Sequence, residues 1–219
     1  MAVVLSPRRL RAVYRRLHAR YGPQHWWPAR TPFEVVVGAV LTQNTAWSNV
    51  ERAIANLDAA GALTPKALLA LPPPALAALL RPSGYFNVKA GRLRAVCAWY
   101  ADQGGHPRLR RWSTARLRAA LLGLHGVGPE TADDILLYAF GRPVFVIDAY
   151  TRRLFARLGL VDGDEPYSAL STGFERALGG DAPLFNEYHA LIVRHAKEAC
   201  RPRPRCAGCC LRRLCPSAV

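Results

Sequence analysis

Five of the six cysteines in this chain, Cys200, Cys206, Cys209, Cys210 and Cys215, crowd into its last twenty residues. A secreted disulfide scaffold would spread its thiols along the chain, so the crowding reads as a metal site. The spacing Cys200-x5-Cys206-x2-Cys209-x5-Cys215 offers four thiolates, which suit zinc or an iron–sulfur cluster. Cys210 is an extra thiol, and it leaves the third ligand open between itself and Cys209. Cys97 lies apart and reads as a core residue.

A second group of residues points to phosphate. Leu124-His125-Gly126-Val127-Gly128-Pro129-Glu130-Thr131-Ala132 sits between two predicted helices. Gly126 and Gly128 permit backbone conformations that a Cβ resists, and Pro129 starts the following helix. A tight hairpin beside a helix N-terminus presents backbone N–H groups that suit a phosphate oxygen. Such a contact positions DNA without reading its sequence. Beyond the hairpin, Asp148 follows the apolar run Val144–Ile147 and opens a helix, so it should be partly buried and fixed. In isolation a residue so placed is an N-cap.

The hairpin, followed by Phe145-Val146-Ile147-Asp148-Ala149-Tyr150-Thr151-Arg152-Arg153, resembles the helix-hairpin-helix, Gly/Pro and Asp signature of the endonuclease III family of DNA glycosylases. The likeness runs from about residue 21 to the C-terminus. It implies that Asp148 is the catalytic carboxylate, stabilising an oxocarbenium-like sugar or activating water. It implies a [4Fe–4S] cluster on Cys200, Cys206, Cys209 and Cys215, although the first gap is one residue shorter than is usual in the family. Members that also nick the backbone carry a lysine two residues past the second hairpin glycine. Glu130 stands there, and a carboxylate cannot form a Schiff base. Of the three lysines, Lys66, Lys89 and Lys197, none lies in the hairpin. The resemblance therefore implies hydrolysis by water without strand cleavage.

The pattern Trp26-Trp27-Pro28, Leu41-Thr42-Gln43-Asn44-Thr45-Ala46-Trp47, Pro82-Ser83-Gly84-Tyr85-Phe86-Asn87-Val88-Lys89-Ala90 and the hairpin with its Glu130 is similar to the 3-methyladenine branch of that family. On that likeness Trp26, Trp27 and Trp47 line a base pocket, Gln43 fills the gap left by the flipped nucleotide and Tyr85 wedges the opposite strand. Aromatic walls hold a flat cationic base well. Taken alone, each tryptophan equally suits core packing.

The elements that must position these groups are helices. Leu10, Val13, Tyr14 and Leu17 recur at helical spacing between arginines, and Gly22-Pro23 ends that helix. Thr31-Pro32 opens a second helix that is apolar all round and should be buried. Residues 48–60, 66–80, 88–102, 114–122, 129–140, 149–158, 167–178 and 183–197 also read as helical. Val144–Ile147 is β-like but isolated. The expected class is all-α: a helical barrel over 23–134 that ends in the hairpin, and a cysteine lobe formed by 1–22 with 135–219. A base-binding cleft is expected between the lobes, with Asp148 at its mouth.

Composition narrows the partners. Thirty Lys and Arg against 15 Asp and Glu leave a net charge of +15, which favours a polyanion. A 51% hydrophobic content excludes a disordered basic tail, and no apolar run approaches membrane-spanning length. We expect a soluble, cytoplasmic, DNA-associated monomer that binds double-stranded DNA carrying a damaged base. The expected function is a monofunctional glycosylase of base excision repair acting on alkylated purines such as 3-methyladenine. Two alternatives stand beside it: a glycosylase for oxidised, deaminated or mismatched bases, and a non-catalytic DNA-binding module.

Overall fold

The computed structural model describes residues 3–218, and no strand occurs among them. The chain divides into two compact units, one formed by Met1–Pro28 with Pro143–Val219 and the other by Ala29–Arg142.

The continuous unit is organised around α2 (Pro32–Leu41), buried from Phe33 through Leu41. Thr31 caps it through an acceptor bond from the Glu34 amide, 3.1 Å, while the Glu34 carboxylate accepts from the Arg30 amide at 3.0 Å. This reciprocal cap satisfies donors that a buried helix end would otherwise leave without partners. Against α2 pack α3 (Trp47–Ala59), α6 (Phe86–Asp102), α9 (Pro129–Asp134) and the π-helical turn Ile135–Ala139 that continues α9. The helical span expected over 66–80 is two helices, α4 (Pro65–Ala70) and α5 (Pro73–Leu79). Leu71 between them is extended, as a residue before proline prefers. Both lie on α6, and α7 (Gly105–Leu109) and α8 (Thr114–Leu122) lead to the hairpin.

The discontinuous unit joins α1 (Pro7–Tyr21), α10 (Ala149–Arg157), α11 (Tyr167–Leu178), α12 (Ala182–Glu198) and the cysteine loop. Its core is aromatic. Phe145 stacks on Phe174 at 4.4 Å and meets Phe185 and Tyr188 edge-on, at 5.3 and 5.9 Å. Phe145 belongs to the β-like run, which is extended chain without a strand partner. Its backbone is instead satisfied by side chains: the Phe145 amide donates to Glu175 Oε1 at 3.0 Å, and its carbonyl accepts from Ser171 Oγ at 2.9 Å. That anchoring fixes the start of α10, three residues on.

The unit boundaries fall after Pro28 and Arg142 rather than at 22/23 and 134/135. Packing explains both shifts. The π-helical turn 135–139 stays against α2, and the Gly22–Pro28 segment is tied to α12 where the Gln24 amide donates to Glu187 Oε1 at 2.8 Å.

Candidate functional site

Asp148 is the N-cap of α10, and the residue is 9% exposed. Oδ1 accepts from the Thr151 amide at 2.6 Å. Oδ2 faces Nε2 of His189 on α12 at 3.5 Å. Burial pushes the carboxyl upward, but the hydrogen bonds and charge supplied by His189 and Thr151 outweigh it and hold the group below the ordinary carboxylate range. Asp148 is thus a buried anion near neutral pH, hydrogen-bonded through Oδ1 and facing His189 with Oδ2. Sequence reasoning singled out Asp148 but not His189, which lies 41 residues away and carries no motif of its own.

In the same unit, Trp26 and Trp27 lie half-buried with ring centroids 5.1 Å apart and planes tilted by 46°. They follow Gln24, so α12 fixes both the aromatic loop, through Glu187, and the carboxylate, through His189.

The cysteine loop belongs to this unit too. Cys200, Cys206, Cys209 and Cys215 line one small cavity with Leu154, Leu158, Leu211 and His195. Among the described residues no three His, Cys, Asp or Glu side chains are grouped so as to hold a single metal ion; what the four thiols share is the cavity. Burial raises the Cys209 and Cys215 thiols, and neighbouring cysteines raise them further. Four thiolates there require a compensating positive centre. Cys210 does not line the cavity; its electrostatic neighbours are Cys209, Arg20 and Arg16, and burial pushes it up to about 11. Of the two candidates for the third ligand, Cys209 opens onto the cavity and Cys210 does not. Helix α10 braces the loop from below. Arg153 Nε donates to the Cys200 carbonyl at 2.9 Å, and Arg157 donates to the Arg201 and Pro202 carbonyls at 2.6 and 2.9 Å. Arg157 Nη1 also lies 3.4 Å from the Cys200 sulfur. His195 bridges Tyr21 and Cys209, at 3.0 and 3.5 Å, and burial lowers it to about 4, which leaves the ring neutral.

The remaining expected residues lie in the Ala29–Arg142 unit, where α6 organises them. Lys89 is 2% exposed, and its Nζ donates to the Leu41 carbonyl at 2.9 Å and the Ser83 carbonyl at 2.6 Å. It therefore ties the end of α2 to the turn before Tyr85, and burial lowers its pKa to about 8. Two residues past each anchored carbonyl stand Gln43 and Tyr85. Tyr85 is 75% exposed in a left-handed conformation, φ 45°, and Asn44 beside Gln43 has φ 52°. The Gln43 amide nitrogen donates to the Gly126 carbonyl at 2.9 Å and to Thr131 Oγ1 at 3.0 Å, while its oxygen accepts from Arg92. The structure thus brings Gln43 onto Gly126 and Thr131 of the hairpin, with Arg92, a residue the sequence analysis did not single out, bonded to it.

The hairpin glycines have different reasons. Gly126 has φ +83°, and a Cβ there would stand 2.5 Å from the Arg92 side chain. Gly128 meets nothing within 4 Å and has an ordinary φ of −88°. Val127, expected with the two glycines to contact DNA, has a buried side chain, and its amide donates to the Leu124 carbonyl at 3.1 Å. Closing the turn takes precedence for that N–H group. Glu130 is exposed in the first turn of α9. Trp47 opens α3, and its indole N–H donates to Glu51 at 2.8 Å.

Residues 37–178 match the HhH-GPD superfamily base excision DNA repair protein family. A protein of Methanocaldococcus jannaschii, provisionally named a DNA repair glycosylase, is 45% identical over 208 residues, 94% of each chain. Endonuclease III of Treponema pallidum is 32% identical over 97% of each. Among solved structures, the H. pylori 3-methyladenine DNA glycosylase bound to 1,N6-ethenoadenine is 29% identical. It aligns with a TM-score of 0.77 over 89% of this chain and 98% of its own. An endonuclease III–DNA complex, 23% identical, shares the fold with a TM-score of 0.83 over 98% and 97%. The chain belongs to the HhH-GPD superfamily of base excision DNA repair proteins and is a DNA glycosylase.

Proposed function

We propose that this HhH-GPD glycosylase is monofunctional and hydrolyses the N-glycosidic bond of alkylated purines, such as 3-methyladenine, in double-stranded DNA. The observation that carries the reading is that Asp148 is a buried, ionised carboxylate while the hairpin position where an amine nucleophile would be needed holds Glu130. Lys89, the one buried lysine among the described residues, is committed to two carbonyls. The likeness to a 3-methyladenine glycosylase supports the substrate class.

The chemistry follows from charge. A purine alkylated at N3 or N7 is cationic. As its bond to C1′ breaks, the electron pair neutralises the ring, so the base departs without a proton from the protein. The positive charge moves to the sugar, where the fixed Asp148 carboxylate stabilises it. Water adds to C1′ and loses a proton, leaving an abasic sugar and a free base. Trp26 and Trp27 supply aromatic faces for a flat cation. Tyr85 and Gln43 are the groups for prying and refilling the duplex, and the hairpin holds phosphate through Gly126 and Gly128.

The four thiols that share a cavity fit a [4Fe–4S] cluster, which would supply covalent cross-linking of the tail and no step of the hydrolysis.

Base release from methylated duplex DNA, resolved by chromatography, tests the reading. Wild type should release 3-methyladenine without cutting the strand. Asp148→Asn should lose about 100-fold or more of the rate, in keeping with one electrostatic contact to the transition state. Release of only deaminated or oxidised bases would move the protein to the endonuclease III-like alternative. Binding with no release of any base would make it a DNA-binding module.

A further inference from the structure

A histidine on the buried face of α12 is out of keeping with its neighbours. Phe185, Tyr188, Leu191 and Ile192 fill that face with apolar or aromatic surface, yet His189, 7% exposed, stands among them. Burying an imidazole costs free energy unless a partner offsets it. The group it faces is Asp148 Oδ2, at 3.5 Å. Capping of α10 does not need this contact, because Asp148 already caps through Oδ1 and the Thr151 amide. The second oxygen of a carboxylate is the one left for chemistry, and here a ring nitrogen from another helix meets it.

We propose that His189 is a positioning residue for this reaction: it holds Asp148 Oδ2 so that the carboxylate serves as a fixed anion facing the sugar rather than as the base that deprotonates water. A carboxylate held by a hydrogen bond at one oxygen and facing a ring nitrogen at the other is a weak base and a well-placed charge. Catalytic hydrogen bonds are often long in a free enzyme and tighten in the complex with substrate. The groups acting on the Asp148 carboxyl are Thr151 from its own helix and His189 from α12. The proposal rests on the glycosylase reading above for Asp148 as the reacting carboxylate, and extends it to the way that carboxylate works.

The test compares His189→Leu, which removes the ring nitrogens, with His189→Gln, which keeps an N–H donor. Three quantities are read for each: single-turnover base release, binding to a duplex containing a tetrahydrofuran abasic-site analogue, and thermal unfolding. The expected result for His189→Leu is a release rate about 10- to 100-fold lower, the worth of a hydrogen bond to a charged group, with binding within about twofold of wild type. His189→Gln should recover most of that rate. A folded His189→Leu protein that releases base at the wild-type rate overturns the proposal. So does a parallel loss of rate, binding and stability in both variants, which marks a packing role.

A spectroscopic arm separates this proposal from the choice of substrate. The carboxyl carbon of Asp148, assigned by its loss in Asp148→Asn, should titrate at higher pH in His189→Leu than in wild type. That shift is expected even if wild type releases no alkylated purine and only the substrate reading fails. An Asp148 signal that titrates identically in both proteins overturns the positioning role.

Discussion

Cys209 and Cys210 are adjacent and chemically identical, yet they have opposite surroundings. Cys209 opens onto the cavity shared with Cys200, Cys206 and Cys215, whereas Cys210 is turned toward Arg16 and Arg20 of α1. Spacing could not separate them, because one residue of slack in a loop reverses which side chain points inward. The structure makes the assignment testable. Cys210→Ser should retain wild-type iron and inorganic sulfide content and thermal stability. Cys209→Ser should lose most of both, since three thiols no longer complete the set. Equal loss in the two variants would show that both thiols serve the centre, and equal retention would remove Cys209 from it. The same lesson applies to Asp148. Its type and its place before a helix are visible in the sequence, but the partner of its second oxygen comes from α12 and is visible only in the folded chain.

At the scale of elements, the helices were the most legible part. Thr31-Pro32, Gly22-Pro23 and the apolar stripes mark starts, stops and faces by local rules, and α1 and α2 follow them. What could not be read was the bracing that links separate segments. Lys89 stands within the Asn-x-Lys-Ala pattern of the Tyr85 turn, but only the structure shows it spanning the Leu41 and Ser83 carbonyls. A hairpin's N–H groups look equivalent in sequence, and only the structure shows that the Val127 amide closes the turn onto the Leu124 carbonyl. The two hairpin glycines give a prediction at this scale. Gly126→Ala places a Cβ into Arg92 at a positive φ, so it should destabilise the protein by about 1–3 kcal/mol and disturb the Gln43 contacts that share the Gly126 carbonyl. Gly128→Ala fits its own backbone and meets no atom, so its unfolding midpoint should match wild type. If the hairpin lies against a phosphate, the open space beside Gly128 is where the backbone of DNA sits. Gly128→Ala should then weaken duplex binding severalfold with stability intact. Unchanged binding would remove Gly128 from the interface.

For the whole molecule, the question is how an excess of 15 positive charges is used. Among the described residues, ion pairs join Arg30, Arg118 and Arg194 to carboxylates. Many other arginines, including Arg9, Arg94, Arg142, Arg152, Arg153 and Arg157, donate to backbone carbonyls instead. A carbonyl satisfies an N–H group without cancelling its charge, so these side chains brace the fold and still contribute to the field. Binding to any duplex should therefore be driven by counterion release. Raising salt from about 50 to 200 mM should weaken binding roughly 1,000-fold or more if six or more phosphates are neutralised. Damage recognition adds a contribution of another kind, from stacking and from the Asp148 site, with little charge transferred to or from the phosphates. Log-log salt plots for an undamaged duplex and for one bearing an abasic-site analogue should accordingly run parallel, offset by a preference that salt leaves unchanged. Filter-binding or anisotropy titrations at four or five salt concentrations would measure both slopes. A flat response would mean that the charge serves something other than DNA. Diverging slopes would mean that the damaged site recruits additional phosphate contacts, and the arginine-rich cysteine loop, with Arg201, Arg203, Arg205, Arg212 and Arg213 all exposed, would be the first place to look for them.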